Sequence, residues 1–207
     1  MPKIQIVQGQ SIPSVAKDYG FFWQTLWDHG DNAALKQKRQ NPNVLFEGDE
    51  VVVPEKELKE VSKPTEAKHK FKRKGDPLKF KIQLKMMGKP RKNEDYVLNI
   101  DGKLIRGKTD GEGKIEQSVP GDATGGWLRL RDGKEQYPVR IGHLDPVDEL
   151  TGVQQRLNNL GFTCGSEGGE LDEGTQAALR SFQSKCKLNV SGEPDDATKA
   201  KLKELHP

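Results

Sequence analysis

Gly169–Phe182 reads GELDEGTQAALRSF, and Gly192–Leu205 reads GEPDDATKAKLKEL. The two segments align without gaps at an offset of 23 residues, with Gly, Glu, Asp, Thr, Ala and Leu identical. A repeat of this kind points to two equivalent turn–helix units that share one core. A further helical stretch, Leu150–Leu160, stops at Gly161. The spacing therefore predicts three helices, Leu150–Leu160, Gly174–Lys185 and Asp195–Leu205. Leu157, Leu160, Leu179 and Phe182 would pack together, with Thr175 and Thr198 at helix starts.

The periodicity changes upstream. In Leu78–Lys85, Leu78, Phe80, Ile82 and Leu84 alternate with Lys79, Lys81, Gln83 and Lys85, which is the period of a half-buried strand. Tyr96–Ile100, Lys103–Lys108, Lys114–Val119, Gly126–Arg131 and Gln136–Ile141 read the same way. Asp101-Gly102, Asp110-Gly111 and Asp132-Gly133 fall between them as hairpin turns. Short strands at this spacing predict a small all-β sandwich. At the N-terminus a strand around Ile4 and Ile6 ends at Gly9. Ser11 can cap a helix carrying Val15, Ala16 and Tyr19, and Gly20 terminates it. A second helical stretch holds Trp23, Leu26 and Trp27, and Glu50–Val53 closes the module as a strand before Pro54. The order is βααβ.

The chain is thus a multidomain α+β protein. Residues 1–54 form the βααβ module, 55–70 a charged linker, 71–145 the β-sandwich and 146–207 the helical domain. Hydrophobic content of 32% suits several small cores better than one large one.

The formal net charge of +3 conceals a segregation. Residues 61–92 hold 12 basic and 2 acidic side chains, a net of +10, while each remaining block is mildly acidic. A general basic surface for nucleic acid is therefore excluded. Lys79, Lys81 and Lys85 read as the solvated face of an edge strand, and Lys68–Lys74 (KHKFKRK) stays open as an electrostatic contact. The longest apolar runs are about three residues, too short to span a membrane. No secretory signal precedes the first strand, so synthesis in the cytoplasm is expected.

Motifs for catalysis are missing: there is no GxSxG, P-loop, GxGxxG, CxxC or HExxH. His29, His69, His143 and His206 are scattered, and His143-Leu144-Asp145 lacks the HxH partner of a zinc peptidase site. The expectation is a non-enzyme without cofactor or metal. For Cys164 and Cys186, a disulfide formed outside the cytoplasm and a pair of reduced thiols are both open.

Three family resemblances cover nearly the whole chain. Ile6–Ser11, Ile12-x-x-Val15-Ala16, Tyr19-Gly20, Asn41–Phe46 and Gly48-Asp49-x-Val51-x-Val53-Pro54 resemble a LysM domain, a binder of N-acetylglucosamine glycans. The resemblance implies sugar binding between two loops, Gly9, Gln10, Ser11, Ile12 and Asn43, Val44, Leu45, Phe46. Gln10 replaces the family's usual Asp, and Gly30–Gln40 lengthens the middle. The same module also serves as an assembly joint in phage-tail-like hub proteins, which is the second reading.

Val153-Gln154-x-x-Leu157-x-x-Leu160-Gly161-Phe162, Gly169-x-Leu171-x-x-Gly174-Thr175-x-x-Ala178-Leu179-x-x-Phe182-Gln183, then Leu188, Gly192 and Thr198, resemble the three-helix peptidoglycan-binding domain. The family's Asp-Gly turns are Gly168-Gly169 and Ser191-Gly192 here. A groove would use Glu167, Asp172, Gln183, Asn189 and Ser191. Tyr96-x-Leu98-x-Ile100-Asp101-Gly102 and Gly107-x-Thr109-Asp110-Gly111-x-Gly113-x-Ile115 resemble a transthyretin-like sandwich. Together the three resemble accessory proteins of type VI secretion or phage-tail-like contractile systems. Peptidoglycan and a secretion-system spike protein or effector are the implied partners, with delivery to the periplasm or cell envelope.

Overall fold

The computed structural model describes residues 1–57, 60, 62–70 and 78–207. Along the chain the elements are β1 (Lys3–Gln5), α1 (Ile12–Asp18), α2 (Trp23–Trp27), a 3-10 turn at Gly30–Asn32, α3 (Ala33–Arg39) and β2 (Glu50–Val52). Then come β3 (Leu78–Gln83), β4 (Lys85–Met86), β5 (Lys89–Pro90), β6 (Asp95–Ile100), β7 (Lys103–Lys108), β8 (Lys114–Val119), β9 (Gly125–Leu130) and β10 (Glu135–Arg140). Helices α4 (Leu150–Asn159), α5 (Glu173–Cys186) and α6 (Asp196–Leu205) close the order. The described part of 55–70 carries no helix or strand, and residues 71–74 of the basic cluster lie outside the described residues.

Two compact units result. The first comprises Met1–Ile4, Ile12–Ala34 and Glu50–Ile141, and the second Gln5–Ser11, Leu35–Asp49 and Gly142–Pro207. The N-terminal fifty residues are therefore shared between the units.

In the first unit, α1 buries Ile12, Pro13, Val15 and Ala16. Its end is a tight reversal, with the Phe21 amide donating to Ala16 O at 2.7 Å and Gly20 at φ 71°. Glycine suits that left-handed position because it has no Cβ to clash. Asn32, 1% exposed, ties the following turn to β2. Its amide donates to Leu26 O and Val52 O, and its oxygen accepts from the Val52 amide, all at 2.8 Å.

Two larger antiparallel sheets, with the short β4–β5 pair, make up most of the remainder of this unit. One is four-stranded, in the order β10-β9-β6-β7, and the other pairs β3 with β8. Leu98, Ile100, Ile115, Leu128 and Leu130 are buried between them, with Leu78, Phe80, Ile82 and Leu84 of β3 packed against that core. The alternation seen in β3 is therefore the packing pattern. Its outward Lys79 and Lys81 both pair with Glu116 of β8. Gly107 leaves room for Tyr96, since a Cβ there would approach the Tyr96 hydroxyl to 2.6 Å. That hydroxyl accepts from Gln117 Nε2 at 2.8 Å.

Two expectations need correction. Asp110-Gly111 is not a hairpin, because β7 pairs with β6 while β8 pairs with β3. The turn carries the chain across from one sheet to the other. Asp110 organises it by accepting from the Glu112 and Lys114 amides, both at 2.8 Å, and those bonds hold its carboxyl below the usual range. The second correction is the N-terminal order. The stretch Gly30–Gln40 adds a 3-10 turn and a third helix to βααβ. Ala33-Ala34-Leu35-Lys36 are strong helix formers, and Lys36, Lys38 and Arg39 in the last turn complement the helix dipole.

In the second unit, α4, α5 and α6 enclose Val153, Leu157, Cys164, Ala178, Leu179, Phe182 and Leu202. Phe162 meets Phe182 edge-on, 5.3 Å between ring centres at 88°. Lys187 ends α5 at φ 58°, a position glycine usually takes. Also in this unit, Arg39 grips Asp49 through two hydrogen bonds of 2.6 and 2.8 Å. Burial alone would raise the Asp49 carboxyl, but Arg39 and the Phe46 amide outweigh it and hold the group below its usual range.

Candidate functional site

The repeat resolves into two loops pinned in the same way. Gln154 of α4 is fully buried. Its side-chain oxygen accepts from the Gly169 amide, and its nitrogen donates to Glu170 O and to Thr175 Oγ1, each at 2.9 Å. Gln183 of α5, also fully buried, repeats the arrangement one unit later. It accepts from the Gly192 amide at 2.9 Å and donates to Glu193 O at 2.8 Å and Thr198 Oγ1 at 3.0 Å. Each loop then starts its helix through an aspartate. Asp172 accepts from the Thr175 amide at 2.7 Å and Asp195 from the Thr198 amide at 2.8 Å. The Thr175 and Thr198 side chains, together with those amides, hold both carboxyls below the ordinary range.

Each bracket satisfies a buried amide completely, so the loops Glu167–Asp172 and Asn189–Asp195 are held rigidly. The polar side chains of those loops then face solvent from fixed positions. That arrangement can hydrogen-bond a polar polymer, and it contains no paired nucleophile and base.

The candidates in this domain are not brought together. Gln183 lies inside the fold with its amide fully engaged. Glu167 accepts from Asn158 Nδ2 at 3.0 Å, and Asp172 caps α5. Ser191 Oγ accepts from Gln183 at 3.2 Å, and exposed Asn189 sits next to it in the chain. Glu167 and Asp172 thus belong to the first loop, Asn189 and Ser191 to the second.

The N-terminal candidates divide by burial. Ser11, Ile12, Val44 and Leu45 are buried, Ile12 completely. Gly9, Gln10 and Phe46 are half-buried, and Asn43 is exposed. Gln10 closes its own loop by accepting from the Val7 amide at 3.1 Å. In the second unit the Gly9 backbone is covered by Gly142 and His143, where a Cβ on Gly9 would lie 2.8 Å from His143 Cε1.

Two important residues escaped sequence reasoning. Gln154 entered only as part of a family signature, although it is the counterpart of Gln183. The glutamines precede their glycines by 15 and 9 residues, so a fixed repeat offset cannot align them. Arg156 is the other. Only 2% exposed, it donates to Asp145 O at 2.6 Å, Gly152 O at 2.9 Å and His206 O at 3.0 Å. Burial pulls its pKa down to about 10, so it remains a cation at neutral pH. His206 beside it is pushed down by burial and by the Arg156 charge.

The model of the peptidoglycan binding domain family matches residues 147–202. The chain carries a peptidoglycan binding domain. The matched segment contains both glutamine brackets and most of the three helices. No curated protein and no solved structure matches the chain. Among the described residues no group of three or more His, Cys, Asp or Glu is placed to hold a metal, and no helix is long and apolar enough to cross a membrane.

Cys164 and Cys186 of the peptidoglycan binding domain are both free thiols in this structure. Burial, with Asp172 and Glu167 adding, pushes the Cys164 thiol up to about 11. At pH 8 Cys164 should react with a soluble disulfide reagent roughly 100-fold more slowly than free cysteine, from its thiolate fraction alone. Half-buried Cys186 should be labelled first. Mass mapping of a timed reaction checks the order, and Cys164 labelled first would contradict this packing.

Proposed function

We propose that this protein is a non-catalytic peptidoglycan binder that serves a contractile secretion system as an accessory or cargo adaptor. The observation that carries the reading is the peptidoglycan binding domain at residues 147–202, with its two rigidly held polar loops. The LysM-like resemblance of residues 1–54 supplies a second wall-directed module. Two weak modules on one chain gain affinity through effective concentration. Co-sedimentation with purified sacculi tests binding. At low salt the protein should move into the pellet, and soluble muropeptides should return it to solution. Complete recovery in the supernatant would sink the proposal. Zymography addresses the non-catalytic part, since a clearing band on embedded peptidoglycan would make the protein a hydrolase.

A second reading is favoured by one observation, the burial of Ser11, Ile12, Val44 and Leu45. Side chains enclosed in this way hold the module together and leave little apolar surface for a sugar. On that reading residues 1–54 act as a protein joint docking on a spike or baseplate component. Co-purification with such a component, unchanged by added chitin oligomers, distinguishes it from glycan binding.

A further inference from the structure

The outward face of the four-stranded sheet carries two rows beside the ion pair of Lys108 with Asp95. Strand register places Leu104, Asn99, Trp127 and Pro138 side by side across β7, β6, β9 and β10. Two residues along, Arg106, Val97, Arg129 and Gln136 form the next row on the same face. The first row is apolar apart from one amide, and Leu104 is 54% exposed. The second carries an arginine on either side of Val97, their backbone positions about 10 Å apart across two strand spacings.

Arg129 is fixed in place. Its guanidinium lies 4.0 Å from the Trp127 ring centre, and its Nε donates to Gln136 Oε1 at 2.6 Å. This stacking and single anchor leave the terminal nitrogens directed to solvent, where they can meet a carboxylate in bidentate fashion. Neither Arg106 nor Arg129 has a carboxylate in salt-bridge range among the described residues. The other sheet differs, since Lys79 and Lys81 are both paired with Glu116. Two arginines kept unpaired beside an exposed apolar row make a surface complementary to an anionic, partly apolar polymer.

We propose that this sheet face is a second peptidoglycan contact, in which sugar rings lie over Leu104, Trp127 and Pro138 while stem-peptide carboxylates pair with Arg106 and Arg129. The inference rests on the wall-binding reading above. Sugars present C–H faces that pack on an indole or a proline ring, and the free carboxylates of the stem peptide supply the negative charge. The face therefore discriminates a peptide-bearing wall fragment from a neutral N-acetylglucosamine oligomer.

The test uses the full chain, its R106Q/R129Q and R106K/R129K variants, and the Trp127 indole NMR signal. A soluble disaccharide-pentapeptide should shift that signal, and a neutral chitin tetramer should leave it in place. R106Q/R129Q should remain folded and bind sacculi about tenfold more weakly, with R106K/R129K intermediate, because lysine keeps the charge and loses the fork. Sacculus binding by R106Q/R129Q equal to wild type overturns the inference and leaves the wall-binding reading standing. Failure of the unmodified protein to sediment removes both. An equal indole shift from the chitin tetramer, or from an acidic peptide without sugar, also overturns it, the latter in favour of a protein partner.

Discussion

Replacing Arg156 with methionine should lower the stability of the peptidoglycan binding domain by about 3 kcal/mol, mainly through carbonyls left without a donor. The side chain bridges Asp145, just before the domain, to the chain's penultimate residue, with Gly152 between. Methionine restores much of the volume but none of the donors, so Asp145 O and His206 O would lose a charged partner. For a domain of about sixty residues this corresponds to a fall on the order of 15 °C in its melting transition. Lysine should recover part of the loss, because it keeps a charge but cannot fork to three carbonyls. Circular dichroism melts of the full chain check this. A methionine variant melting within about 2 °C of wild type would show that the latch contributes little.

Gln183→Glu is the second large effect, about 3 kcal/mol or more. The amide nitrogen it removes is the donor to Glu193 O and Thr198 Oγ1, both in contact at 3.0 Å or closer. A carboxylate there would set an oxygen against the Glu193 carbonyl and bury a charge without a counterion. Gln183→Leu keeps the shape and adds no charge, so it should cost less, about 2 kcal/mol, through the unpaired Gly192 amide. Gln154→Glu should repeat this ranking at the first bracket, where Gly169, Glu170 and Thr175 surround the same group. Urea titrations with an unchanged slope read the differences directly. Equal midpoints for the Glu and Leu variants at either position would refute the bracket account.

Much of the fold was legible because short-range signals decide it. Alternation in Leu78–Leu84 marked β3, and the Asp101-Gly102 and Asp132-Gly133 turns joined paired strands as expected. Helix limits in the last sixty residues agree within two residues, since Gly161, Asp172 and Asp195 are local stop and start signals. Asp110-Gly111 failed for a physical reason. An Asp-Gly turn reverses the chain equally well within one sheet or between two, and only strand pairing separates the cases. For the candidate site, the Thr and Asp of each loop were visible through the repeat. The glutamine completing each bracket was not, because it comes from the preceding helix at a different distance each time.

From the sequence alone came the local elements, the repeat, the placing of positive charge in residues 61–92 and the resemblance of the C-terminal segment to the peptidoglycan binding domain family. These depend on propensity, periodicity and turn chemistry over a few residues. The tertiary structure decided which side chains remain available. It enclosed Gln183, Ser11, Ile12, Val44 and Leu45, and it paired Lys79 and Lys81 with Glu116. It left Arg106 and Arg129, among the described residues, without a carboxylate in salt-bridge range on the outward sheet face. Availability depends on which distant residues a side chain meets, and that is settled only when the sheets and helices pack.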